Sequence, residues 1–329
     1  MLPGGSQAAV TTTNVPPSLP TPALTLPSTP EAGTRRIEPT AEHAEEQPAT
    51  PTIRKPDAVT PPFSASARPG DGQWVEYAEP GATSASLWRT TLHPHRISAF
   101  VSVAVVAIDL DVLTLDWVVG AGDEGAEKLS TKMNLGLVTE DALALFNGGF
   151  QARHGRWGQV SHGVTLVPPR PEGCGVALTT DGRVELGAYV DVSALELVTY
   201  RQTPPCLVAQ RVVNPLLLSG QDKAWAGKSE REKTRRRSAL GLRRDTRTLY
   251  YLVGVETDAI DLARALVALG ADVGVQLDIN WNWTRFFLVG QKDGVATVHT
   301  PRLDAMVMDA AEYVKRPSKR DFFVVRARR

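Results

Sequence analysis

The stretch "VQLDINWNWTRFF" (residues 275–287) sets Asp278 and Asn280 on alternate positions of a run that otherwise reads as a buried strand, then adds Trp281 and Trp283. Val273, Val275, Leu277 and Ile279 fall on one side of that strand, and Gly274, Gln276, Asp278 and Asn280 on the other. If the apolar side packs under a helix, the polar side faces either solvent or a cleft. Trp281 and Trp283 share a side of such a strand; aromatic faces stack on sugar rings and equally on other apolar surface. A second candidate is "FNGGF" (146–150), where Asn147 meets Gly148 and Gly149. Glycine permits positive φ and close backbone approach, so this turn can present amides and the Asn side chain to a ligand, or Asn147 can simply bond its own turn. His154 follows closely, and an imidazole with a pKa of about 6.5 can serve as general acid or base. His162 in "SHGVTL" is a weaker candidate. The basic run "REKTRRRSALGLRR" (231–244) is either a solvated face or an anion-binding edge.

The elements that must position these residues are mostly strands. "ISAFVSVAVVAIDLDVLTLDWVVGAG" reads as two strands, "ALALFNGGF" as a strand entering a turn, and "GVALTTDGRVELGAY" as a hairpin about Asp181-Gly182. "RSALGLRRDTRTLYYLVGVE" repeats the hairpin form with Arg244-Asp245 at its bend. One helix is expected over 257–269, capped by Thr257 or Asp258 and stopped by Gly270. The expected class is therefore α+β: a single domain of mixed or antiparallel sheet with a few helices.

Composition changes once along the chain. Of 24 Pro, 14 lie in residues 1–70, where Phe63 is the only aromatic, so residues 1–71 are expected to be a disordered Pro/Thr/Ala-rich leader and 72–329 the folded domain. Lys plus Arg (36) balance Asp plus Glu (36), which gives no overall attraction to nucleic acid or an anionic membrane. The apolar run "AFVSVAVVAI" is too short for a transmembrane helix, and the first residues show no signal peptide. Cys174 and Cys206 are either one disulfide or two free thiols. Asp278, Asn280 and Asn147 are oxygen ligands that calcium accepts, but no loop of alternating Asp closed by Glu is present, no His or Cys spacing suits zinc, and no glycine-rich phosphate loop occurs. Neither metal nor cofactor is expected.

Four stretches in order resemble the phosphodiester glycosidase family: "FNGGFQARHG" (146–155), "NPLLLSG" (214–220), "RRSALGL" (236–242) and "LARALVALGADVGVQLDIN" (262–280). Together they span most of 72–329. The better-known members follow Leu-Asp with Gly-Gly, whereas Ile279, Asn280 and Trp281 follow Asp278 here, so the chain looks like a bacterial branch carrying "LDIN" and a terminal "DFF".

The resemblance implies a hydrolase that cleaves a sugar from a phosphodiester, through an oxocarbenium-like state that needs a carboxylate near the anomeric carbon. It implies Asp278 for that carboxylate, with Asn147, His154 and Arg237 beside it. Arg237 and Arg201 are suited to phosphate oxygens, which a guanidinium meets in a bidentate fork. Gly148, Gly149, Gln202, Asn280, Trp281 and Trp283 complete the expected substrate contacts. Asp321 and Asp304 are candidates for a second carboxylate. The expected substrate is an envelope or extracellular glycan or sugar phosphate. A Pro/Thr-rich leader resembles the spacers that follow export signals, so export to periplasm, envelope or exterior is expected. Two alternatives remain: a catalytically inactive carbohydrate or phosphoglycan-binding protein, and a structural envelope protein that uses its leader as a spacer.

Overall fold

The structure is a computed structural model; it describes residues 52–78, 87–129, 136, 138, 142–226, 235–292, 295–299, 303 and 316–328. Asp304 and most of the leader lie outside these residues.

Three sheets carry the fold, with strands numbered in chain order. The first runs β1 (Val75–Tyr77), β2 (Leu87–Leu92), β3 (Ser102–Asp109), β14 (Thr248–Thr257), β13 (Arg235–Arg243), β15 (Val273–Gln276), β11 (Val208–Ala209), β12 (Val212–Val213). The second runs β7 (Val164–Val167), β6 (Gln159–Ser161), β10 (Leu197–Thr203), β8 (Cys174–Thr179), β9 (Val184–Ala188). The third runs β17 (Val295–His299), β16 (Phe286–Lys292), β5 (Ala142–Asn147), β18 (Phe322–Ala327), β4 (Leu113–Val118). Their ladders are antiparallel. Helices are few: α1 (Tyr189–Val192), α2 (Pro215–Leu218) and α3 (Ala259–Ala268). No helix among the described residues is long and apolar enough to cross a membrane. Both expected hairpins form, as β8–β9 and β13–β14.

Strand alternation decides which core each side chain joins. Ala104, Val106 and Ile108 of β3, Leu240 and Leu242 of β13, and Val273 and Val275 of β15 enter the main core with Phe146, Phe286 and Phe323 of the third sheet. Val103, Val105 and Ala107 of β3 and Ala239 of β13 point the other way, into a second core with Leu262, Leu266 and Leu269 from α3 and its C-terminal end. A leucine buried this way contributes about 1.5–3 kcal/mol. The N-cap of α3 is Asp258, whose carboxylate accepts from Asp261 N at 2.9 Å, and Gly270 ends the helix region with φ 75°.

This arrangement reverses one expectation. Helix α3 covers the glycine side of β15: a Cβ on Gly274 would lie 2.5 Å from Leu266 Cδ1, and one on Gly241 of β13 would lie 2.3 Å from Leu266 Cδ2. The side of Val273 and Val275 faces the larger core between sheets instead. The strand also ends at Gln276 and does not run on to Asn280.

The expected domain boundary moves too. Residues 52–71, placed in the disordered leader by composition, lie against the domain. Ile53 joins the main core, its carbonyl accepts from Trp88 Nε1 at 3.3 Å, and Arg54 N donates to Asp109 Oδ2 at 3.1 Å. Trp74 Nε1 donates to Asp57 O at 2.8 Å, and Val59 N to Gly72 O at 3.0 Å. Ile53, Val59 on the second core, Ser66 Oγ donating to His93 O at 2.9 Å and a partnered backbone hold the segment, although it is poor in apolar side chains. Cys174 and Cys206 form a disulfide.

Candidate functional site

The ends of β5, β16 and β18 are brought level by register, since Phe286 pairs with Phe146 and Phe322 with Asn147. Three connecting segments therefore meet there: the turn at Asn147–Gly149, residues 277–285 between β15 and β16, and residues 318–321 before β18.

Asn147, 2% exposed, is held from all sides. Its Nδ2 donates to Ser238 Oγ and to Gly148 O, both at 2.9 Å; its Oδ1 accepts from Tyr251 Oη at 2.8 Å and Arg285 N at 3.1 Å. A carboxamide makes four such bonds when fully used, and these four are all internal. Asn147 is thus a strut that ties the turn to β13, β14 and the residue that leads into β16.

The two glycines are needed for close approach and not for positive φ. A Cβ on Gly148 would fall 2.3 Å from Asp321 Oδ2, and one on Gly149 would fall 2.9 Å from Arg201 Cζ. Asp321 Oδ2 collects three donors: Arg201 Nε at 2.6 Å, Trp117 Nε1 at 2.9 Å and Gly149 N at 3.2 Å. Arg201, fully buried, also donates to Gln202 O at 2.7 Å and Phe150 O at 2.6 Å. It braces the turn from below and presents no open fork.

Asp278 lies two residues past β15, where the chain leaves β13 to meet the glycine turn. Its N donates to Gly148 O at 3.2 Å, while its O accepts from Ser238 Oγ at 3.1 Å and Thr284 Oγ1 at 3.2 Å. The carboxyl, in a residue 5% exposed, accepts from Ile279 N at 2.8 Å through Oδ1 and pairs through Oδ2 with Arg320 Nη1. Arg320 Nη2 reaches Gln151 Oε1 at 3.3 Å, and its guanidinium stands 4.8 Å from the Trp283 ring, which a second cation, Arg285, approaches to 4.8 Å.

Charge is concentrated around this pair. Burial pushes the Asp278 carboxyl up to about 6, with Asp321 adding to the rise, while Arg320, the Ile279 amide and Arg201 oppose it. Burial, then Asp321, pushes Asp123 up to about 7 against Arg201, the Gly120 amide and Arg320. Asp123 belongs to a turn bolted to the Arg320 segment by Ala121 N donating to Ser318 O at 2.8 Å and Gly122 N to Lys319 O at 3.2 Å. Both raised carboxyls therefore feel the same three charges, Arg201, Arg320 and Asp321. Carboxyls that titrate near neutrality beside guanidiniums and an aromatic face are the equipment of acid–base chemistry on an anionic substrate. Among the described residues no three His, Cys, Asp or Glu gather into a metal-binding group.

Several expected site residues stand elsewhere. Arg237 is the clearest correction: it projects from the face of β13 that α3 covers, donating to Thr257 O at 2.9 Å, Trp225 O at 2.6 Å and Gln276 Oε1 at 3.0 Å. Side chains alternate along a strand, so its neighbours Arg236 and Ser238 face the site, Arg236 Nε donating to Thr284 O at 2.7 Å. Gln202 staples two loops through Gly158 N at 3.0 Å and Arg170 N at 2.8 Å. Asn280 accepts from Asn282 N at 2.8 Å and so caps the turn that carries Trp281 and Trp283; that turn, not a strand, sets their directions. Trp283 meets Arg320, whereas Trp281 is half-exposed on the same turn. His154 is exposed on the turn begun by Gln151, and His162 sits at the β6–β7 bend with φ 49°. Sequence reasoning missed Arg320, Asp123, Trp117 and Tyr251; the "RDFF" run was the available pointer to Arg320.

No protein-family model matches the chain, and no curated protein matches it. Among solved structures it is similar to the catalytic domain of zebrafish N-acetylglucosamine-1-phosphodiester alpha-N-acetylglucosaminidase, auto-inhibited by its pro-peptide, with 12% identity over 78% of this chain and 82% of that one and a TM-score of 0.45. A hypothetical protein from Synechocystis is similar at 11% identity over 74% of this chain and 62% of that one, with a TM-score of 0.44. These likenesses are distant and concern the fold alone.

Proposed function

We propose that the chain is a hydrolase of glycosidic bonds whose substrate joins a sugar to a phosphodiester in an envelope or extracellular glycan. The observation that supports this most is the buried Asp278 carboxyl, raised to about 6, against the Arg320 guanidinium on the face of Trp283. Asp278, ionised above that pH, is the carboxylate for the oxocarbenium-like centre. Arg320 takes the phosphate oxygens, Trp283 stacks on the sugar, and the phosphate leaves as a stable anion. Asp123, raised by burial and by the same Asp321 that acts on Asp278, is the group assigned to the proton of the attacking water. Asn147, Gly148, Gly149, Arg201 and Asp321 are positioning residues. The Cys174–Cys206 disulfide supports an oxidising location, in periplasm, envelope or exterior.

A second reading, a phosphoglycan-binding protein without turnover, is favoured by the closure of Arg320 onto Asp278. One experiment separates the two: sugar release from a panel of sugar-1-phosphodiesters and aryl glycosides, wild type beside Asp278→Asn, with thermal melts of both. Turnover by the wild type that the variant loses while melting cooperatively supports the hydrolase. Sugar binding without turnover in either protein overturns it in favour of the binder.

A further inference from the structure

Arg201, Arg237 and Arg320 differ in freedom. Arg201 and Arg237 are 0% and 1% exposed, and each holds backbone carbonyls at 2.6–2.9 Å from fixed positions on strands. Arg320 keeps 12% of its side chain exposed; besides Asp278 it meets a neutral amide, Gln151, at 3.3 Å, and an aromatic face. Its backbone is fixed, with Arg320 N donating to Ser318 Oγ at 3.2 Å and Ser318 Oγ to Arg320 O at 2.8 Å. The segment is anchored while the side chain lies on contacts that a better anion can replace. A guanidinium retains its attraction to an indole face as it slides over it, so Trp283 offers a surface across which Arg320 can turn.

We propose that Arg320 is an exchangeable cap on Asp278. With no ligand, the Asp278 carboxylate occupies the guanidinium where a phosphate oxygen would sit. A bound phosphodiester supplies two oxygens to the fork, draws Arg320 off, and frees the carboxylate toward the sugar. Neutral aglycones are then refused because the carboxylate stays covered, not because they fail to fit. This rests on the phosphodiester reading of the site and adds the means by which it selects an anionic leaving group.

The cap and the ligand compete for one cation, and that competition is measurable without turnover. Dimethyl phosphate is titrated into the full-length protein at constant ionic strength, with binding read by tryptophan fluorescence and the signal assigned by its loss in Trp283→Phe. Removing the competing charge in Asp278→Asn is expected to tighten binding roughly tenfold or more, the scale of one close charge pair. Arg320→Gln is expected to abolish binding, and Arg320→Lys, a point charge without the fork, to weaken it. Equal affinity in wild type and Asp278→Asn, with both melting cooperatively, overturns the cap, as does binding that survives in Arg320→Gln. Absence of binding in all of them overturns it as well. The turnover panel is independent: phosphate binding with the expected Asp278→Asn gain but no sugar release would leave the cap standing and remove the hydrolase.

Discussion

The phenol of Tyr251 on β14 donates at 2.8 Å to the carboxamide oxygen of Asn147 at the end of β5, joining two sheets through residues 104 apart in the chain. This bond fixes the glycine turn over the main core, where Tyr251 and Phe146 pack with ring centroids 4.9 Å apart. Tyr251→Phe keeps the ring and leaves Asn147 one donor short. The expected loss is about 1–2 kcal/mol of stability, read by urea unfolding. Asn147→Ala removes all four bonds and is expected to cost more than Tyr251→Phe.

Gly148→Ala tests whether the turn needs bare backbone. The new methyl lands on the Asp321 carboxylate and forces apart the Asp321–Arg201 pair. The expected cost is about 1–3 kcal/mol, with a larger fall in sugar release than the melt alone explains, because Asp278 N hangs from the carbonyl of the same glycine. Unchanged stability would show that the turn has room to shift.

Among the described residues three carboxyls are raised, Asp123 and Asp278 at the site and Asp261 on α3, where burial and then Asp258 push it up to about 7. Asp123 titrates at about 7 in the folded protein against an ordinary value of 3.8, so the folded state holds a proton that the unfolded state has released between those values. The stability it contributes is complete below the lower value and is lost as pH rises through about 7. Asp123→Asn, which leaves Asp321, Arg201 and Arg320 in place, is expected to flatten that decline and to raise the melting temperature at a pH of about 7.5 relative to wild type. On the proposed hydrolase reading the Asp278 carboxylate acts as an anion, so the rate of sugar release is expected to climb through about 6.

Arg237 separates the site from its support. Arg237→Lys is expected to lower the melting temperature, since three acceptors lose a fitted guanidinium, while the KM of any sugar release by the folded protein stays unchanged. A raised KM with an unchanged melt would return Arg237 to the substrate.

The hairpins, α3 and the β5 strand were legible because they rest on local signals: alternation, Asp-Gly, an N-cap and a stopping glycine. That Asp278 and the glycine turn would meet, as they do through Asp278 N and Gly148 O, was expected only through the resemblance. Arg237 was misread because a charge at the head of a β-strand gives no sign of which face it takes until register is known, and register put Ser238 and Arg236 on the site side. Residues 52–71 were misread because composition counts apolar side chains, whereas this segment is held by Ile53 and Val59 together with its backbone and the polar contacts of Arg54, Ser66 and Asp71. Asp123 and Arg320 were invisible because the contact between their segments is made by backbone across nearly two hundred positions of sequence.

Leu266 fits between Gly241 and Gly274 so closely that neither strand can gain a methyl while the leucine keeps its place. The three positions are coupled: alanine at either glycine obliges the Leu266 methyls to turn away or the residue to shorten, and a shorter residue 266 leaves space that such an alanine occupies.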